Sequence, residues 1–244
     1  MTQVKNNVSV LILTGDGVNC EAETAWAFRE VGAKTTIEHI NDLEGRPESI
    51  HSFDIMVLPG GFSFGDDLGS GKIFALKIKK YLGKHFEEFI SQKKPILGIC
   101  NGFQVLTKLG AFTRFQTGQV GLAQNRNAQF IDKWVELKVE DSPCIWTKDM
   151  KKIKLPIRHG EGRFVAQSMP STFYKVLSYV DNPNGSHENI AAICDESGLI
   201  FGLMPHPEAA LTKELHPGGK ISESHWGLHI FKNAVDYMKN KDRA

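Results

Sequence analysis

The sequence predicts an α/β fold of the doubly wound class: one domain, residues 8–240, with a mostly parallel central sheet and helices on both faces. Three observations carry this expectation. Short apolar runs such as VSVLIL (Val8–Leu13) and PILGI (Pro95–Ile99) read as strands buried on both sides. Each stops abruptly at a glycine-bearing turn. Stretches with apolar residues at helical spacing lie between them.

Taken in order, Val8–Leu13 is the first strand, and the turn Thr14-Gly15-Asp16-Gly17 leads into a helix over Asn19–Val31. Thr35–Ile40 and Phe53–Leu58 are the next strands, the second broken by Pro59-Gly60-Gly61. Over Ile73–Ile90, Phe74, Ile78, Tyr81, Leu82, Phe86 and Phe89 form one stripe, which predicts a core-facing helix. Pro95–Ile99 is a further buried strand, followed by a helix over Gly102–Leu109.

After Ala111 the pattern changes. Phe130–Val139 alternates like a half-exposed strand, and Ile190–Cys194 with Leu199–Leu203 forms a strand pair around Glu196-Ser197-Gly198, so this half is antiparallel or mixed. A closing amphipathic helix over Glu223–Lys239 carries Trp226, Ile230, Ala234 and Tyr237. No repeat, low-complexity tract or linker divides the chain.

With 41% hydrophobic and 23% charged residues and a formal net charge of +1, the chain has the balance of an ordinary soluble protein. It carries no footprint for nucleic acid or an anionic membrane. No window is long and apolar enough for a membrane span, and no signal core follows Met1, so a cytoplasmic location is expected. Cys20, Cys100, Cys144 and Cys194 lie far apart without a C-x-x-C pair, which argues for reduced thiols.

The chemistry centres on Gly98-Ile99-Cys100-Asn101-Gly102, which has the form glycine-x-nucleophile-x-glycine between a strand and a helix. Such an elbow lifts the sulfur above the sheet, sets it at a helix N-terminus where the dipole favours thiolate, and aims the Asn101 N–H at a developing oxyanion. A free cysteine is ordinarily an inert buried hydrophobe. Two flanking glycines at a strand end reverse that expectation.

A catalytic thiol needs a base. Met204-Pro205-His206-Pro207-Glu208 follows an apolar strand, and in an extended segment His206 and Glu208 would point to one side, letting the carboxylate orient the imidazole. Leu58-Pro59-Gly60-Gly61-Phe62-Ser63 is another strand end, where a glycine N–H can supply a second oxyanion donor.

Three other patterns fail. A P-loop reading of residues 65–73 would need a glycine where Asp66 stands and Ser or Thr where Ile73 stands. A dinucleotide fingerprint over residues 15–20 has Cys20 as its third glycine. The deaminase reading of His206-x-Glu208 lacks its P-C-x-x-C partner. No metal site and no nucleotide site is expected in this chain.

Together, PGGFSFGDD, GICNGFQVL, PIRHGEGRF, NPNGS with NIAAI, and MPHPE resemble the class I (triad) glutamine amidotransferases, and among them the family of glutaminase subunits of phosphoribosylformylglycinamidine synthases. The resemblance covers nearly the whole chain. It implies Cys100 as nucleophile, His206 as general base and acid, and Glu208 as the residue orienting it. It further implies backbone donors at Gly61 and Asn101, a grip on substrate by Gln104, and a pocket wall at Phe62.

The implied substrate is L-glutamine, and the implied partners are a large synthetase subunit and a small bridging subunit. Cofactors are expected only on the synthetase, as ATP and magnesium ion, in agreement with the missing nucleotide motif here. The chain departs from the family pattern at Ala209, where an arginine is usual, at Leu68-Gly69-Ser70, where an arginine is usual soon after F-G-D, and in a longer Thr212–Ser222 segment. Two alternatives stay open: a glutaminase feeding another synthetase, which HGEGRF and NPNGS oppose, and a non-catalytic α/β binding module, which the intact Cys-His-Glu set opposes.

Overall fold

The apolar runs form strands because a parallel sheet covered on both faces has no solvent side. A computed structural model describes residues 7–66, 68–166, 171–216 and 226–241. In it β1 (Ser9–Thr14), β2 (Lys34–His39), β3 (Ile55–Leu58) and β4 (Ile96–Ile99) pair in parallel in the order β2-β1-β3-β4. Every residue of β3 and β4 is buried.

Among the described residues the α-helices are α1 (Glu21–Glu30), α2 (Lys72–Tyr81), α3 (Lys84–Ser91), α4 (Asn101–Leu109) and, near the end of the chain, α5 (Trp226–Asn240). Helix α1 packs against α5, and α2 against α4. The start predicted for the last helix, Glu223 to His225, lies outside the described residues, as do residues 217–222 of the Thr212–Ser222 segment.

The stripe predicted as one helix over Ile73–Ile90 is split between α2 and α3. Gly83 adopts φ 42°, ψ −119°, which ends one helix and starts the other. Phe74, Ile78, Leu82, Phe86 and Phe89 are nonetheless all buried, because the break keeps the apolar stripe turned inward.

The second half contributes β5 (Val120–Ala123), β6 (Ile131–Val139), β7 (Lys152–His159), β8 (Arg163–Ala166), β9 (Phe173–Tyr179), β10 (Ile190–Asp195) and β11 (Ile200–Leu203). Strand β11 inserts parallel to β4, and beyond it β10, β9, β6 and β7 continue the sheet antiparallel. The anticipated hairpin around Glu196-Ser197-Gly198 is β10–β11. Asp195 closes its turn, with Oδ1 accepting from Leu199 N at 3.1 Å and Ile200 N at 2.9 Å.

Four strands are not among those read from the sequence: β5, β7, β8 and β9. In β7 the buried Ile153, Leu155 and Ile157 alternate well, but Pro156 interrupts the pattern. Its position is tolerated because β7 is the last strand of the sheet, where a missing N–H costs little. Strands β5 and β8 form a separate two-stranded sheet.

This order has one consequence for function. The carboxyl ends of β3, β4 and β11, which carry Pro59-Gly60-Gly61, Cys100 and Met204-Pro205-His206, come to lie side by side.

Candidate active site

Cys100 follows β4 directly and stands just before α4, with φ 49° and ψ −102°. A non-glycine residue held there stores on the order of 1–3 kcal/mol of strain. The flanking glycines serve a different purpose from the turn itself. A Cβ on Gly102 would lie 1.8 Å from the Leu58 carbonyl oxygen, and one on Gly98 would lie 2.6 Å from Leu106 Cδ1. They let α4 press onto β3 and β4, and that packing holds the cysteine in its strained pose.

The Cys100 N–H donates to Leu203 O at 2.8 Å, which locks the elbow to β11, and Sγ faces Arg158 O at 3.7 Å. Asn101 N–H is among the first amides of α4, which have no acceptor inside the helix. Gly61 has φ 143°, and a Cβ there would meet Val18 Cα at 2.7 Å, so a bare backbone is required. Its neighbour Phe62 donates its N–H to Gly17 O at 2.8 Å. That bond turns the strand end toward the β1 loop and leaves Gly61 on the pocket wall.

The His206 N–H donates to Pro156 O at 2.8 Å, and Pro207–Ala209 then form a single 3-10 turn. Glu208 thus sits on a turn and not on an extended strand, yet its Oε1 reaches His206 Nδ1 at 2.6 Å. The two side chains are 5% and 2% exposed. With Nδ1 engaged, Nε2 is buried and has no hydrogen-bond partner among the described residues.

Burial pushes the His206 pKa down, but the Glu208 carboxylate and the neighbouring Cys100 and Cys20 thiols outweigh it and hold the imidazole well above its ordinary value. The ring therefore favours its protonated form beside the nucleophile. That is the form a departing amine needs.

The pocket, about 160 Å³, is lined by Cys100, His206, Gly61, Phe62 and Gln104, five of the seven residues singled out from the sequence. Glu208 stands behind His206, and Asn101 is buried outside the lining, bonded to Asp66 and Gln104, which belong to it. Phe62 is half exposed and pairs with Phe130, ring centres 6.4 Å apart, forming an aromatic lip. Gln104 is buried. Its Nε2 donates to Glu161 O at 2.5 Å and its Oε1 accepts from Asn101 Nδ2 at 2.9 Å, so it braces the wall it belongs to.

Two motifs that gave resemblance without mechanism acquire one here. In His159-Gly160-Glu161-Gly162, Glu161 accepts from Ser70 Oγ at 2.8 Å, and His159 is buried against Asn125 Oδ1 at 3.0 Å. Gly162 lies so close to that ring that a Cβ would fall 2.3 Å from Nδ1. Asn184 of NPNGS donates to Gly162 O at 2.9 Å, and Ser186 Oγ accepts from Phe164 N at 3.0 Å. The Asn184–Ser186 loop buttresses the other from behind, and His159, Gly160 and Glu161 line the pocket.

Burial, with a smaller push from His206, lowers the His159 pKa to about 4. Asp66, partly buried and hydrogen-bonded by Asn101 Nδ2 at 3.2 Å, has its pKa raised by desolvation.

Sequence reading missed Cys20. It follows β1, its N–H donates to Gly60 O at 3.3 Å, and its thiol, raised in pKa by burial, stands against His206. The one available signal is the partial match of residues 15–20 to the family pattern, in their G-x-N-C portion, which gives Cys20 no role of its own.

A strained cysteine, an imidazole–carboxylate pair and glycine strand ends around a small polar pocket suit nucleophilic attack on a carbonyl. The comparisons agree. The model of the CobB/CobQ-like glutamine amidotransferase domain matches residues 7–238. Phosphoribosylformylglycinamidine synthase subunit PurQ of Methanococcus maripaludis is 42% identical, over 94% of this chain and 97% of the relative. The protein of that name from Dehalococcoides mccartyi is 37% identical, over 96% and 99%. A chain in the solved structure of PurLQS from Thermotoga maritima superposes with a TM-score of 0.77 at 32% identity, over 94% of this chain and 98% of that one. The chain thus belongs to the CobB/CobQ-like glutamine amidotransferase family.

Proposed function

We propose that the chain is the glutaminase subunit of phosphoribosylformylglycinamidine synthase, active in purine biosynthesis, and that residues 8–240 form its single catalytic domain. The arrangement of Cys100, His206 and Glu208 at adjoining strand ends is the observation that carries this reading. Its relatives' names supply the acceptor of the ammonia.

In this mechanism the Cys100 thiolate attacks the side-chain amide carbon of L-glutamine. The oxyanion is met by the N–H groups of Gly61 and Asn101. His206 gives its proton to the nitrogen, ammonia leaves, and a γ-glutamyl thioester remains on Cys100. His206, now neutral, takes a proton from water, which attacks the thioester and releases glutamate. Glu208 holds the ring so that Nε2 faces the reaction, while Gln104 and Phe62 shape the space for the substrate.

Ammonia passes to a large synthetase subunit that converts formylglycinamide ribonucleotide to the amidine, with a small bridging subunit completing the complex. ATP and magnesium ion belong to the synthetase, and the glutaminase step calls on no cofactor. No helix among the described residues is long and apolar enough to cross a membrane. All four cysteines are free thiols, which fits a reducing cytoplasm.

The test is reconstitution with the synthetase subunit, formylglycinamide ribonucleotide, ATP and glutamine. Glutamine-dependent amidine is the expected product. Glutamine hydrolysis without amidine would assign the chain to another synthetase, and no thioester on Cys100 in the assembled complex would remove the catalytic reading.

A further inference from the structure

A second cluster of ligand-type side chains lies away from the catalytic pocket. His51 belongs to a 3-10 turn, Pro47–Ser52, that leads into β3. His85 and Glu88 are three residues apart on α3, so they share one helix face, and that face meets the turn. Their ligand atoms converge: His51 Nε2 lies 3.1 Å from His85 Nδ1 and 3.2 Å from Glu88 Oε2, and His85 Nδ1 lies 3.6 Å from the same oxygen.

Those three distances define nearly the face of a small tetrahedron. A zinc ion bound by nitrogen and carboxylate oxygen at about 2.0–2.2 Å requires ligand atoms about 3.3–3.6 Å apart, since a tetrahedron's edge is about 1.63 times its centre-to-corner distance. The observed separations bracket that range without any change of backbone. We propose that His51, His85 and Glu88 form a three-ligand site for a divalent transition-metal ion of the zinc class, with a water completing the tetrahedron.

The surroundings suit this role. A metal-bound imidazole needs its other nitrogen oriented by a partner. Gln92, one turn beyond Glu88, places its side-chain Nε2 3.5 Å from His51 Nδ1; with the amide turned over on metal binding, its oxygen would take that place, accept the Nδ1 proton and leave the Nε2 lone pair facing the cluster. Lys94 Nζ donates to His51 O at 2.6 Å and so anchors the turn through its backbone, leaving the imidazole free to ligate.

The side chains of His51, His85 and Glu88 are 24%, 19% and 49% exposed, which leaves an entry path and a solvent position for the fourth ligand. Two imidazoles and one carboxylate favour zinc, cobalt or nickel over magnesium or calcium.

The ion would be structural. His51 precedes β3 and α3 precedes β4, so the site clamps the amino ends of the two strands whose carboxyl ends carry Gly61 and Cys100. It takes no part in the chemistry. Because His51 and His85 are 34 residues apart, no local motif announces it.

The test is a titration of the full chain carrying Cys20→Ala and Cys100→Ala, which removes both thiols beside His206 as competing ligands, with Zn(II) by calorimetry and Co(II) by absorption. One equivalent should bind, the cobalt spectrum should lack a thiolate charge-transfer band, and zinc should raise the unfolding temperature. Adding His85→Ala should abolish the binding and the rise in unfolding temperature, and Glu88→Gln, at an exposed position that leaves the fold intact, should weaken binding by at least about tenfold, as much as loss of a ligand's outer partner costs. No saturable binding, a thiolate band, or binding unchanged by Glu88→Gln would overturn the proposal.

Discussion

Gly60 and His206 occupy each other's space. A Cβ on Gly60 would stand 2.9 Å from His206 Cε1 and 3.3 Å from Cys20 Sγ, so the end of β3 is bare because the imidazole carried by β11 fills that volume. Gly60→Ala is expected to displace the ring by a fraction of an ångström while leaving the sheet intact. Since a 1 Å misplacement of a catalytic group can cost about 10²-fold, this smaller one should lower turnover by about tenfold. Steady-state kinetics of the reconstituted complex check it, and an unchanged kcat would mean that the ring position is not critical.

Cys100→Ala should abolish glutamine-dependent amidine formation while the complex still runs on added ammonium salt, since only the ammonia source is lost. The two activities are measured side by side. Loss of both would contradict the division of labour between the subunits.

His206→Ala should be more damaging than Glu208→Ala. The first removes the group that moves the proton, and the second removes the partner that orients it at 2.6 Å. By analogy with other nucleophile–imidazole–carboxylate sites, the gap should be about one to two orders of magnitude in kcat. Equal losses would show that Glu208 does more than orient the ring.

His159 makes stability depend on acid. Its folded pKa, about 4, lies below the ordinary 6.5, so the unfolded chain binds more protons between those values. The stability it contributes is complete above pH 6.5 and is lost as pH falls toward 4, roughly 3 kcal/mol in all. Denaturant unfolding at several pH values should show that slope, and His159→Gln should flatten it. An unchanged slope would place the acid sensitivity elsewhere. His206, raised in pKa, has the opposite sign: its contribution is present at low pH and is lost as pH rises through its folded value.

Much of this is legible in the sequence alone. VSVLIL and PILGI became β1 and β4 because a continuous apolar run has few alternatives to a strand covered on both faces. Cys100 stood out through its glycines, although their role proved to be close packing against Leu58 and Leu106. The split at Gly83 was hidden because the apolar stripe runs through it unbroken. Strand β7 was hidden because Pro156 argues against a strand everywhere except at an edge, and being an edge is a property of the whole sheet.

Local chemistry is written along the chain, because which residues bury and which bend depends mainly on neighbours a few positions away. Cys100, the His206–Glu208 pair and the glycine strand ends belong to that class. Convergence does not. Cys20 against His206, Glu161 against Ser70, and His51 against His85 and Glu88 meet only because β11 inserts beside β4 and α3 folds back over the turn before β3. Those meetings are set by long-range strand pairing and core packing, whose energy is spread over many contacts and leaves no mark on any short stretch of sequence.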